Sequence, residues 1–123
     1  MWKTAHESDC MRKPKVWVTN NKEYDLSTAE VYGDVDIMYP DKPKNIFSTS
    51  THAFHMKELL KDAQASDYLV VTGNMVLVLL AFGILYEKFG YVNLLLYDLR
   101  SREYVPRVVP RHQLQSNRKE TNE

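Results

Sequence analysis

Cysteine is almost absent: Cys10 is the only one in 123 residues, so no intramolecular disulfide can form and no thiolate cage for a metal can be assembled. Glycine is nearly as scarce. Gly33, Gly73, Gly83 and Gly90 compose neither a GxGxxG dinucleotide fingerprint nor a Walker-type phosphate loop. An excess of either charge is also missing, since sixteen Lys and Arg balance sixteen Asp and Glu. The molecule as a whole therefore exerts no field that draws in nucleic acid or an anionic membrane. No HExxH pattern occurs, and His52 and His55 have no third ligand at a zinc-binding spacing, so neither a metal nor another cofactor is expected. Residues 1–14 hold no apolar run of the kind that makes a secretory signal, which predicts a cytoplasmic protein.

What the chain does have is the composition of a globular domain, 44% hydrophobic and 26% charged, in a length that supports one core. Residues 15–110 read as a single α/β domain between a flexible N-terminal arm at 1–14 and a disordered, charged tail at 111–123. Apolar runs at 15–19, 35–39, 68–72 and 92–97 read as strands. Helical patterns lie between them: a short one from Ser27, with Ser27 and Glu30 at capping-box spacing, one from about Ser48 to Gln64 with Phe54, Leu59, Leu60 and Ala63 on its apolar stripe, and one from Asn74 to Phe89. The uncharged stretch at 68–86 approaches the length of a membrane span, but Thr72, Gly73 and Asn74 split it into a buried strand and a core helix. Residues 103–109 return as an edge strand carrying Pro106. This alternation predicts a small three-layer parallel sheet, flavodoxin-like or Rossmann-like but truncated, with a C-terminal antiparallel edge strand.

Ligands of such sheets gather at the carboxyl ends of the strands. That rule selects Thr19, Asn20 and Asn21 after the first strand, the stretch Tyr39 to Lys44 with Lys42 and Lys44 after the second, and Thr72, Gly73 and Asn74 after the third. The last group joins a strand to a helix N-terminus and so suits an anion or a nucleotide, with His52, Lys42 and Lys44 as the nearest cations. Replacing Gly73 by Val is expected to obstruct the ligand while leaving the sheet intact. The hydroxyls of Ser48, Thr49, Ser50 and Thr51 beside His52 and His55 offer an alternative, a small hydrolase or transferase, although hydroxyls in front of a helix usually serve as caps. No catalytic residue is assigned. The apolar helix at 74–89 and the strand at 92–97 present more apolar surface than so small a sheet covers, which predicts a homodimer.

The blocks VWVTN, DLSTAEVYG, NIFSTSTHAFHMKELLKDA, SDYLVVTGN and KFGYVNLLLYDLRSREYVPR, spanning Val16 to Val108, resemble those of small, mostly uncharacterised proteins encoded by tailed bacteriophages and prophages. That resemblance implies the cytoplasm of an infected bacterium and an accessory role. It favours a non-enzymatic binding module for a nucleotide, another anionic ligand or a host protein, with a structural part of a phage assembly as the second reading.

Overall fold

The computed structural model describes residues 13–20 and 25–110. Most of the arm at 1–14 and all of the tail at 111–123 lie outside the described residues. Five strands and two α-helices follow one another: β1 (Lys15–Asn20), a 3-10 turn (Ser27–Val31), β2 (Asp34–Tyr39), α1 (Thr49–Leu59), β3 (Tyr68–Val70), α2 (Met75–Phe89), β4 (Tyr91–Asp98) and β5 (Glu103–Pro110). They form one sheet in the order β2-β1-β3-β4-β5. The first four strands pair in parallel and β5 is antiparallel to β4. The α/β class, the central place of the third strand and the antiparallel edge strand expected from the sequence are all present.

The layers follow from the strand order. A parallel crossover is right-handed, so the direction in which the chain steps along the sheet decides which face its connection covers. From β1 to β2 it steps one way, over the face where Ala29 of the 3-10 turn packs on Val16, Val18, Val70 and Leu95. From β2 to β3 and from β3 to β4 it steps the other way. Both helices therefore share the opposite face, where Met56 and Leu60 meet Trp17, Leu69, Leu77, Ala81 and Val92. Among the described residues, one side of the sheet carries both helices and the other a single 3-10 turn.

Three sequence expectations shift in detail. The segment from Ser27 is a 3-10 turn without a side-chain cap; Asp25 instead accepts from the Ser27 amide at 3.0 Å, an Asx turn, and no capping box forms. The helix from Ser48 ends at Leu59, and its buried stripe is His52, Met56 and Leu60, continued by Ala63 in the following turn. Phe54 lies half a turn off that stripe and is 71% exposed. In α2, by contrast, Asn74 accepts from Val76 and Leu77 as an N-cap and Gly90 closes the helix at φ 80°, both as expected. No helix among the described residues is long and apolar enough to cross a membrane.

The central strand pair is set by a residue the sequence does not advertise. Asp67 is buried at the amino end of β3, where its carboxylate accepts from the Lys15 amide at 2.9 Å, the Trp17 indole at 3.0 Å and the Gln64 amide at 2.9 Å. It thereby continues the Val16–Tyr68 register one residue beyond the strand with a side chain. At the edge beside it, Gly33 is required by close approach: a Cβ there would lie 2.1 Å from the Pro14 carbonyl oxygen, which accepts from the Asp34 amide. Asp67→Ala is expected to lower unfolding free energy by about 3 kcal/mol, because three donors, one of them the buried indole, lose a charged acceptor. Asp67→Asn should lie between the two, and urea denaturation at constant m-value measures both.

Candidate functional site

The strand order reverses between β1 and β3, the point at which an open α/β sheet leaves a crevice outside its strand ends. Asn20 ends β1 there, opposite Tyr39 at the end of β2, and the turn of Thr72, Gly73 and Asn74 follows β3 on its other side. Thr19, Asn20, Thr72, Gly73 and Asn74, singled out from sequence, therefore do converge. Asn20 is buried, and its side-chain oxygen accepts from the Asn74 amide at 2.9 Å. The Thr19 hydroxyl lies 3.3 Å from both that oxygen and the Thr72 carbonyl, and its one proton serves one of them at a time.

This geometry uses most of the donors at the start of α2. Of the four N–H groups without an intrahelical acceptor, that of Asn74 goes to Asn20, and those of Val76 and Leu77 go to the Asn74 side chain. The Met75 amide remains. Gly73 permits the arrangement through a φ of 95° and through space, since a Cβ on it would lie 2.5 Å from Asn20 Oδ1 and 2.8 Å from the Asn20 carbonyl oxygen. A valine there disturbs the turn itself and not only the approach of a ligand, because it collides with Asn20, the residue that holds the helix start. Among the described residues no buried side-chain nitrogen or oxygen lacks a partner.

The second group lies one strand over. Lys42 and Lys44 are exposed in the loop between β2 and α1. His52 is not, and its ring holds that loop down. Nε2 lies 3.0 Å from the Lys44 carbonyl and 3.2 Å from that of Asn45, while Nδ1 lies 2.9 Å from the Tyr39 hydroxyl. Carbonyls only accept, so Nε2 carries a proton, and in the neutral ring Nδ1 accepts from the Tyr39 hydroxyl. Asn45 reaches a φ of 50° to bring its carbonyl into place. The His55 ring packs edge-on to Tyr39 at 5.4 Å. With both nitrogens of His52 engaged, the ring faces Tyr39 and the loop backbone, and neither nitrogen is placed to activate Ser50 or Thr51.

The strand-end rule includes Tyr39 as the first residue of the stretch 39–44 but gives it no role, and its bond to His52 is what the structure adds. The available signal was an aromatic hydroxyl at a strand end followed by a helix with a histidine in its first turn. Burial raises the Tyr39 hydroxyl above its ordinary pKa of 10.0. A raised pKa means that the folded state holds the proton more tightly than the unfolded chain. The resulting stability is present in full below pH 10.0 and is lost as the pH climbs through the raised value. Tyr39→Phe is expected to be less stable than the wild type at neutral pH by about 1 kcal/mol, the value of one hydrogen bond. It should also show a smaller decline in alkali, which denaturant titrations on both sides of pH 10.0 measure. At the other end of the site, Asn74→Ala should lower stability by about 1 kcal/mol as a lost N-cap. Gly73→Val should be lower still, since it combines a disfavoured φ with a collision.

Comparison with known proteins gives one match. The model of a family described as "Phage Pam3 gp32-like protein" covers residues 10–111, most of the chain. The resemblance to phage-encoded proteins read from the sequence blocks is thus borne out. No curated protein and no solved structure matches.

Proposed function

The chain belongs to the phage Pam3 gp32-like family, and we propose that it is a non-enzymatic accessory module that binds an anionic ligand at the carboxyl edge of its sheet. The observation that carries this reading is the reversal of strand order at β1 and β3, with the Thr72–Asn74 turn seated on Asn20 at that point. In this reading the fold is a truncated flavodoxin-like sheet whose second helical layer has shrunk to the 3-10 turn. The ligand meets the Met75 amide and the partly exposed Thr72, Gly73 and Asn74, and the exposed Lys42 and Lys44 supply charge from the adjacent loop. A helix N-terminus contributes about 0.3 to 1 kcal/mol toward an anion at an exposed position, so the two lysines are required for useful affinity. The engagement of His52 also supports a binding role, since it withdraws one of the two histidines, His52 and His55, that a hydrolase or transferase using Ser50 or Thr51 would use as base.

Thermal unfolding of the full chain against a panel of nucleotides and inorganic phosphate tests the proposal. A ligand at a hundred times its Kd adds about 2.7 kcal/mol to the native state and raises the melting temperature. The Lys42→Ala, Lys44→Ala double variant should lose most of that shift while melting at the wild-type temperature in the absence of ligand. No shift with any anion overturns the reading, and so does a shift that the double variant retains in full.

A further inference from the structure

The two helices share one layer but differ in what they turn outward. The outward positions of α1 include Lys57 and Glu58, as a helix facing water requires. Along α2 the corresponding stripe, one residue per turn, is Met75, Leu79, Gly83 and Glu87, all exposed, and the first three carry no polar group. Met75 is 55% and Leu79 62% exposed. An open groove of ≈ 290 Å³ runs beside them, lined by Lys57 of α1 and by Leu79, Leu80, Gly83, Ile84 and Glu87 of α2. That volume accommodates a few aliphatic side chains and falls at the lower limit of small-molecule sites, so its shape suits a helix face better than an enclosed ligand.

Gly83 points to what covers the groove. A glycine in a helix interior is less stable than alanine, and it persists where something lies too close for a side chain. Nothing among the described residues does: a Cβ on Gly83 would meet no atom within 4 Å. Among the described residues nothing accounts for the glycine, and it sits midway along the α2 wall of the groove, between Leu79 and Glu87.

The groove is also self-complementary in charge. Lys57 and Glu87 border it with opposite signs, and among the described residues neither has an ion-pair partner. A second copy related by a two-fold axis brings the Lys57 of each chain to the Glu87 of the other, while the apolar centre pairs with itself. With equal numbers of basic and acidic residues, no net charge opposes the association.

We propose that the outer face of α2 is the interface of a homodimer, in which the α2 of a second copy crosses at Gly83 and the Lys57–Glu87 pairs close the two ends. This inference is independent of the anion-binding reading, which rests on the opposite end of α2 and on the β2–α1 loop.

Sedimentation equilibrium of the full chain at micromolar concentrations is the test. The wild type is expected to be a dimer. Leu79→Asp and Gly83→Leu, both at exposed positions, should weaken association by about tenfold or more while the monomer keeps its circular dichroism spectrum. Gly83→Leu should not lower the melting point of the dilute monomer, because its side chain enters open space. Lys57→Glu and Glu87→Lys should each weaken the dimer, and the double variant should restore it, since a two-fold interface then contains the same pairs reversed. A wild type that remains monomeric overturns the proposal, as does a dimer that tolerates Leu79→Asp and Gly83→Leu. Recruitment of monomeric wild type to lipid vesicles, abolished by Leu79→Asp, would assign the face to a membrane surface and overturn it equally.

Discussion

The carboxylate of Asp67 is the constraint on which the arrangement of the sheet depends. It ties the first residue of β1, the indole of Trp17 and the turn after α1 to the start of β3. β3 has only three residues in the ladder, and its pairing with β1 is short. Ladder hydrogen bonds alone set register weakly in so short a pair, and a slip of one residue would turn Leu69 and Val70 to the wrong faces. A charged acceptor at the amino end removes that ambiguity. The neighbouring Asn93 side chain donates from Nδ2 to the Ala65 and Asp67 carbonyls, which brings β4 to the same point. Three strands are thus aligned from one end, and the position of their other end, where the candidate site lies, follows.

The opposite end of the sheet is held by the same device in neutral form. Asn20 accepts from the amide of Asn74, the N-cap of α2, much as Asp67 accepts from the first amide of β1. The His52 ring does the corresponding work for the β2–α1 loop by donating to its carbonyls. Three buried polar side chains therefore fix the places where backbone groups leave regular structure, and the Trp17 indole and Tyr39 hydroxyl complete the partners of Asp67 and His52. Lys88 extends the pattern to the helical layer, where its ammonium donates to the Leu60 and Lys61 carbonyls at the end of α1.

How much of this was legible in the sequence depended on whether the signal was local. The cap of α2 was legible because Asn74 and Gly90 act within one turn of the helix they bound. The third strand stood out because both of its faces are covered, which leaves an unbroken apolar run. The phase of α1 was not legible. A buried histidine holds a place on its core stripe, while Phe54, the largest apolar residue of the segment, faces outward. A pattern reading that treats histidine as polar assigns the two the wrong way round. Asp67 was illegible for a related reason, since its three donors come from β1 and from the turn after α1 and nothing adjacent to it announces a buried acceptor. Thr19, Asn20, Thr72, Gly73 and Asn74 were found together by topology alone, and the same rule placed His52 beside them without revealing that both of its nitrogens face elsewhere.

The helix α2 joins the two surfaces on which the two proposals rest. Its N-terminus meets the switch-point turn, and Gly83, midway along the groove, lies nine residues further along. At 1.5 Å per residue, Gly83 lies about 13 Å along the axis from Asn74. If a two-fold axis passes at Gly83, the two α2 helices run antiparallel and their Asn74 ends lie about 27 Å apart at opposite ends of the interface. Each ligand edge then stays open, and neither copy occludes the other's Lys42 and Lys44 loop. The apolar length of α2, which first suggests a membrane span, has a simpler physical reason in this geometry. One side of the helix is covered by the sheet and α1, the other by its counterpart, and its charged residues, Glu87 and Lys88, fall in the last turn.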